Sequence, residues 1–246
     1  DIDIMIRPST LENTKLFRYL EDGASGLLIP HVSTAKKAEY LVNSIKFPPI
    51  GDRGFDGSGL DSYFQIKGGY EYTEYANNET FLVVQIETIG GLEAANEIAS
   101  TEGVDCIFIG TGDLGLRINK FSHELKLKES INKIAQAAKD HNKAWGRPVS
   151  NKDDIKLIEK VHQQGCRFMQ LTYNNQSLLA TGCYEKKDSG VTNFGREAIK
   201  EMNRVGIVID MSHSAEQSTL DAIEISRSEE HTSELQSLVN LVCRLL

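Results

Sequence analysis

The chain has 246 residues, a formal net charge of −8 at pH 7, and four cysteines, Cys106, Cys166, Cys183 and Cys243, with no CxxC pair among them. That length is enough for one large α/β domain with its own core. The acidity argues against nucleic acid or an anionic membrane as partner, and the scattered cysteines argue against a disulfide-stapled secreted scaffold and for a reducing, cytoplasmic setting. No apolar run approaches the roughly 20 residues of a membrane span. The opening DIDIMIRPS has neither the basic region nor the apolar block of a signal peptide, and it alternates like a strand already inside a domain.

In chain order, the pattern predicts a strand at 4–8, a helix at 11–21, a strand at 26–30 and a helix at 34–45. Residues 47–80, rich in Gly, Tyr and Asp, read as one long loop, and loops of that length in compact domains are often functional. The alternation then resumes with strands at 81–87, 105–109, 144–149, 168–173 and 206–211. Between and after them come helices at 91–100, 125–142, 152–164, 193–205 and 214–225. Strands separated by helices make βαβ units and a parallel sheet. Seven units of similar size point to a parallel (β/α) TIM-type barrel lacking at least one unit, since such barrels have eight.

The chemistry-bearing residues gather at the ends of predicted strands. Phe81, Val83, Gln85 and Glu87 share one face of their strand because side chains alternate. Gln85 and Glu87 therefore arrive together at its C-terminal end, where barrel enzymes place their chemistry. The next strand runs into Gly110-Thr111-Gly112-Asp113, a tight turn that brings a second carboxylate to the same rim. Two carboxylates with positions left for water and substrate suit a hard divalent cation. The alternative is that Asp113 only caps the following helix. Arg7 sits on an apolar strand just before Pro8 and is either a site residue or half of a surface ion pair. The Gly110–Gly112 turn is not a dinucleotide fingerprint, because the third glycine and the acidic residue about twenty positions on are missing. Tyr70, Tyr72 and Tyr75 are expected to pack under the long loop. Arg53 either steadies that loop over the site or forms an ion pair. His123, His141 and His162 lie on polar helical stretches and read as surface residues.

Five short motifs occur in register: IRPS (6–9), LLIPHVSTAKKA (27–38), FPPIGDRG (47–54), QIET (85–88) and FIGTGDL (108–114). Together they resemble the HpcH/HpaI family, class II aldolases acting on 4-hydroxy-2-oxo acids. The resemblance implies a metal-dependent cleavage to pyruvate and an aldehyde through a metal-stabilised enolate, with Mg²⁺, Mn²⁺ or Co²⁺ held by Glu87 and Asp113. It further implies Gln85 at the substrate, Arg7 facing the oxygen of the 2-oxo acid, the backbone around Gly112 holding the pyruvate carboxylate, and a homo-oligomer. The cation acts as Lewis acid, and a fixed arginine adds positive charge where negative charge grows. The chain departs from the family in lacking the two opening βα units and, with them, the GEH-type loop that carries the catalytic base. His31 belongs to the following motif and is not expected to replace it, so turnover is expected to be impaired.

From residue 168 the sequence changes character. LTYN, FGREAIKEMNR and IDMSHS resemble the membrane (renal) dipeptidase family of zinc hydrolases, and that resemblance implies His213 as a zinc ligand after the strand at 206–211. Its expected partner ligands are missing, and a catalytic zinc needs about three. RSEEHTSELQS (227–237) and LVCRLL (241–246) resemble the translation of a sequencing-library adapter. The expected organisation is a partial aldolase barrel over 1–167, a dipeptidase-like fragment over 168–226 and a non-native tail over 227–246, a barrel truncated at its start and chimeric at its end. The alternatives to an aldolase are a zinc dipeptidase fragment and an inert barrel fragment.

Overall fold

The computed structural model describes residues 4–56, 58–64, 66–121, 123–148, 158–230 and 241–242. Its backbone divides into two compact units, one over Ile4–Ala144 and one from Trp145 onward. Among the described residues no helix is long and apolar enough to cross a membrane.

The first unit contains β1 (Met5–Ile6), α1 (Asn13–Glu21), β2 (Gly26–Ile29), α2 (Ala35–Ile45), α3 (Gly69–Glu79), β3 (Phe81–Ile86), α4 (Ile89–Glu93), α5 (Ala95–Ser100), β4 (Cys106–Ile109), α6 (Thr111–Lys120) and α7 (Leu127–Asp140). Strands β1 to β4 lie side by side in sequence order, every pair parallel. All four residues of β2 and of β4 are buried, as is β3 beyond Phe81. Continuous apolar runs such as Leu27-Leu28-Ile29 and Cys106–Ile109 are what a parallel strand covered on both faces requires. Helix α7 buries Ser130, Ile134, Ala137 and Ala138, one stripe at helical spacing. Gly26 opens β2 beside Phe81, and a Cβ there would collide with the Phe81 ring and carbonyl.

Several sequence expectations change here, and the tight turn expected at Gly110–Asp113 is instead the start of α6. The predicted loop 47–80 contains α3, whose Tyr72 and Ala76 pack against Phe47. The predicted helix 91–100 is two short helices meeting at Ala94, whose ψ of 17° leaves the helical region. The remainder of the long segment is tied down by Arg53, which is buried. Its guanidinium lies 4.4 Å from the Phe47 ring centroid, donates to Asp61 at 2.8 Å and stands 4.0 Å from Glu21. Arg53 is therefore a buried ion-pair residue that anchors the loop. Of the three tyrosines only Tyr72 packs as expected. Tyr70 is 94% exposed and Tyr75 is also exposed, its ring under the Lys67 ammonium, because α3 turns both away from Phe47.

The second unit contains β5 (Ala144–Pro148) from its second residue on, α8 (Ile158–Gln163), β6 (Cys166–Gln170), α9 (Asn193–Val205), β7 (Val208–Asp210), α10 (Glu216–Glu230) and β8 (Leu241–Val242). These strands also pair in order and in parallel. The α/β, parallel (β/α) organisation is thus the one read from the sequence. Helix α9 starts at Thr192, whose hydroxyl accepts the Gly195 N–H at 2.9 Å, and stops at Gly206 with φ of 82°. Its buried residues Gly195, Ala198, Ile199 and Met202 form one face. The start of the predicted helix 152–164 and the end of the predicted strand 144–149 lie outside the described residues. So do His231 and Cys243 of the predicted tail 227–246.

Candidate active site

The candidate site lies within the first unit, at the C-terminal ends of its strands. Gln85 is the fifth residue of β3 and Glu87 follows its end, so strand alternation puts both side chains on one face. Gln85 Nε2 donates to Glu87 Oε2 at 2.7 Å, and the two residues are 5% and 2% exposed. Glu87 Oε1 accepts the backbone N–H of His31 at 2.9 Å. Both oxygens of this buried carboxylate are therefore oriented, from β3 itself and from the turn after β2.

Gly110, directly after β4, makes room for the pair. A Cβ there would stand 2.6 Å from Gln85 Nε2, 2.6 Å from Glu87 Oε2 and 2.7 Å from Glu87 Cβ. Gln85 Oε1 is buried and has no hydrogen-bond partner among the described residues. An orphaned buried acceptor costs about 1–3 kcal/mol unless something outside the chain satisfies it.

Asp113 is the third residue of α6. The N-cap of that helix is Gly110, without a side-chain capping bond, so Asp113 does not cap it. Its Oδ1 accepts from Arg117 Nη1 at 2.6 Å, and the same nitrogen donates to the carbonyls of Asp113 at 3.2 Å and Glu87 at 3.1 Å. Arg117, which the sequence reading assigned no role, thereby ties the first turn of α6 to the end of β3. Gly112 faces open space. The helical ladder begins with Leu114 N–H on Gly110 at 3.0 Å, so the N–H groups of the first turn precede it and can meet an anion. Arg7 directly follows β1 and is half-buried at the same strand edge.

His31 was also assigned no role from sequence. It adopts a left-handed conformation, φ 56°, and its ring Nδ1 stands 3.5 Å from Glu87 Oε1 while the side chain remains 52% exposed. Lys37 Nζ and Ser33 Oγ donate to the His31 carbonyl at 2.9 and 3.1 Å. Burial pulls the Lys37 ammonium below its usual pKa, against the attraction of Glu87.

Glu87 and Asp113 are hard oxygen donors of the kind a divalent cation takes, and the orphaned Gln85 oxygen beside Glu87 fits a site completed from outside the chain. Among the described residues no three His, Cys, Asp or Glu side chains group as a ready-made metal cage. His213 lies in the second unit, three residues past β7, with Nδ1 2.7 Å from Asn174 Oδ1 and its ring 4.5 Å from that of Tyr173. Cys183 Sγ donates to the same Asn174 oxygen at 3.7 Å.

Parallel strands joined by helices, with a buried amide–carboxylate pair at their C-terminal ends, define an α/β scaffold of the TIM-barrel type built for chemistry at that rim. Residues 1–181 match the family model described as HpcH/HpaI aldolase/citrate lyase, and the chain belongs to that family. The match runs past residue 167. A hydroxypyruvate/pyruvate aldolase of Pseudomonas aeruginosa is 36% identical over 181 residues, covering 71% of this chain and 65% of that protein. A 4-hydroxy-2-oxovalerate aldolase of Novosphingobium aromaticivorans is 28% identical over 174 residues, covering 67% and 62%. The crystal structure of an HpcH/HpaI aldolase/citrate lyase family protein from Burkholderia cenocepacia J2315 superposes with a TM-score of 0.58 at 25% identity, covering 67% of this chain and 65% of that one. The chain thus spans less than two thirds of the length of these curated relatives.

Proposed function

We propose that the first unit carries the cation-binding half of an aldolase that cleaves 4-hydroxy-2-oxo acids to pyruvate and an aldehyde. The observation that carries this reading is the Gln85–Glu87 pair, oriented by the His31 N–H and admitted by Gly110 at the end of β3. Family membership and the aldolase names of the relatives support the reaction class.

In this reading Glu87 and Asp113 hold a divalent cation, Mg²⁺, Mn²⁺ or Co²⁺. When bound, the cation supplies Lewis-acid stabilisation of the negative charge that grows as the carbon–carbon bond breaks. The protein contributes the rest. Arg7 offers a second, fixed positive charge at the same edge. Gln85 Oε1, otherwise orphaned, accepts a hydrogen bond from a hydroxyl of the substrate or from water. The free N–H groups around Gly112 receive the carboxylate of the 2-oxo acid, favoured by the positive end of the α6 dipole. Arg117 keeps Asp113 and the end of β3 in one register.

The test is pyruvate release from a 4-hydroxy-2-oxo acid, followed with and without Mn²⁺ in the wild type, Glu87→Gln and Asp113→Asn. Expected is slow, cation-dependent release that both substitutions remove. Release that survives Glu87→Gln, or that ignores the cation, would sink the reading.

A further inference from the structure

We propose that the apolar face formed by the loop before α3 and the outer side of that helix is a docking surface for a second copy of this chain, the two copies meeting face to face about a two-fold axis. The face belongs to the outside of the first unit and stands apart from the strand-end site. It goes beyond the homo-oligomer that the family resemblance implies, which assigns no surface and no residues.

The face is contiguous and held in place. The Lys67 ammonium lies 4.7 Å from the Tyr63 ring centroid and 4.5 Å from that of Tyr75, so a loop residue and a residue of α3 are neighbours. Leu60, Phe64 and Ile66 belong to the same run of turns. The Tyr63 N–H donates to the Leu60 carbonyl at 3.0 Å, that of Phe64 to Gly59 at 3.0 Å and that of Ile66 to Tyr63 at 3.2 Å. The run is anchored to α1 by the Leu60 N–H on the Glu21 carbonyl at 2.9 Å, and to Arg53 by Asp61. Tyr63 and Phe64 both take a left-handed backbone, φ 51° and 54°, which is uncommon for bulky residues. Backbone polar groups are thus used within the segment while its large apolar side chains stand in water. Phe64 is 68% exposed and Ile66 86%.

The area decides what this face can hold. With a whole aromatic side chain at about 200 Å², the exposed parts of Tyr63, Phe64, Tyr70 and Tyr75 come to roughly 500 Å². Leu60 and Ile66, each more than half exposed, bring the face to roughly 700 Å². The largest apolar patch of an ordinary monomer is about 300–600 Å². Each partner of a standard interface contributes about 800 Å². The face therefore has the size of one side of a stable interface, with aromatic rings where such interfaces carry them.

The charges favour a second copy over a lipid surface. Residues 55–75 contain one lysine, no arginine and four acidic residues, and the whole chain carries −8. An anionic membrane needs the opposite balance. In a two-fold interface residue i meets j and j meets i. Lys67, beside the rings, then faces the exposed Glu71 or Glu74 of the other copy, twice per dimer. Such rim pairs fix register and speed encounter, while the aromatic centre supplies the affinity.

The experiment is sedimentation velocity of the full chain from about 1 to 100 µM, a range that separates monomer from dimer for an interface of this size. The variants are Ile66→Glu and Tyr70→Glu, at side chains too exposed for the fold of one copy to depend on them. The control is Leu220→Glu, an exposed apolar residue of α10. Expected is a wild-type dimer, a dissociation constant raised about thirtyfold or more in either face variant, and no change in the control. In the wild type, hydrogen exchange of the amides of residues 63–70 should slow as concentration rises, a readout that needs no variant. A wild type that stays monomeric throughout, a dimer that survives both face variants, or an open series of larger species would overturn the proposal. So would a monomer that floats with neutral phosphatidylcholine vesicles, which would give the face to lipid.

Discussion

At Gly110 a methyl group has no room, because the Gln85 amide and the Glu87 carboxylate fill the space a Cβ would take. Gly110→Ala is expected to cost about 1–3 kcal/mol, the range for overpacking, and to weaken Mn²⁺ binding. Gly112→Ala, facing open space within a helix, should leave stability unchanged or raise it by up to about 1 kcal/mol. Thermal melts and Mn²⁺ titrations of the two variants check the contrast. Glu21 gives a pH prediction. Burial pushes its carboxyl pKa up from 4.5, against Arg18 and Arg53 and with help from Asp61 and Asp56. A raised folded-state pKa contributes stability that is present below the unfolded value and lost as pH rises through the folded one. Wild-type protein therefore loses this increment as pH rises from 4.5 through the raised folded-state pKa, and Glu21→Gln does not. The melting temperature of the variant relative to wild type should rise over that interval, and a constant difference would refute the assignment. The position of Glu87 at the end of β3 was legible in the sequence because a carboxylate closing an apolar strand is a local signal. His31 was not, because its partner is 56 residues away.

Helix ends decide much of the stability at the next scale. Lys46 follows α2, is buried, and donates to the carbonyls of Asn77, at 2.8 Å, and of Thr80 at the end of α3. Burial holds its pKa below the usual lysine value, with Asp105 opposing. Lys46→Met removes a costly buried charge but strands two helix-end carbonyls. The second effect should win, with a net loss of roughly 1–3 kcal/mol in urea denaturation. At α9, Thr192→Ala should cost about 1 kcal/mol and Thr192→Ser little, since only the hydroxyl on the Gly195 N–H matters. Strands β2, β3 and β4 were readable as apolar runs between turn residues. Helix α3 was not, because it buries only Tyr72, Ala76 and Asn77 and shows no continuous apolar stripe. Its place is set by the Phe47 ring and by Lys46, both brought to it by the fold.

For the molecule as a whole, a cation that binds only the folded state stabilises by about 2.7 kcal/mol at a hundredfold excess over its dissociation constant. Mn²⁺ should therefore raise the melting temperature of the wild type and leave Glu87→Gln unchanged. The joins expected near 168 and at 227, the first of which the family match runs past to residue 181, make a separate prediction: no single continuous template crosses both positions. Amplification from source DNA through codons 140 to 240 tests it, and one uninterrupted product would establish the fusion as natural. The sequence by itself determined the parallel (β/α) class and the approximate positions of β1 to β7, because hydrophobic period acts over a few residues. The tertiary structure alone decided that Gly110 admits the Gln85–Glu87 pair, that Arg117 joins Asp113 to the end of β3, and that the His31 ring stands beside Glu87. Those facts depend on parallel pairing, which sets residues from different βα units side by side with a spacing that no local pattern encodes.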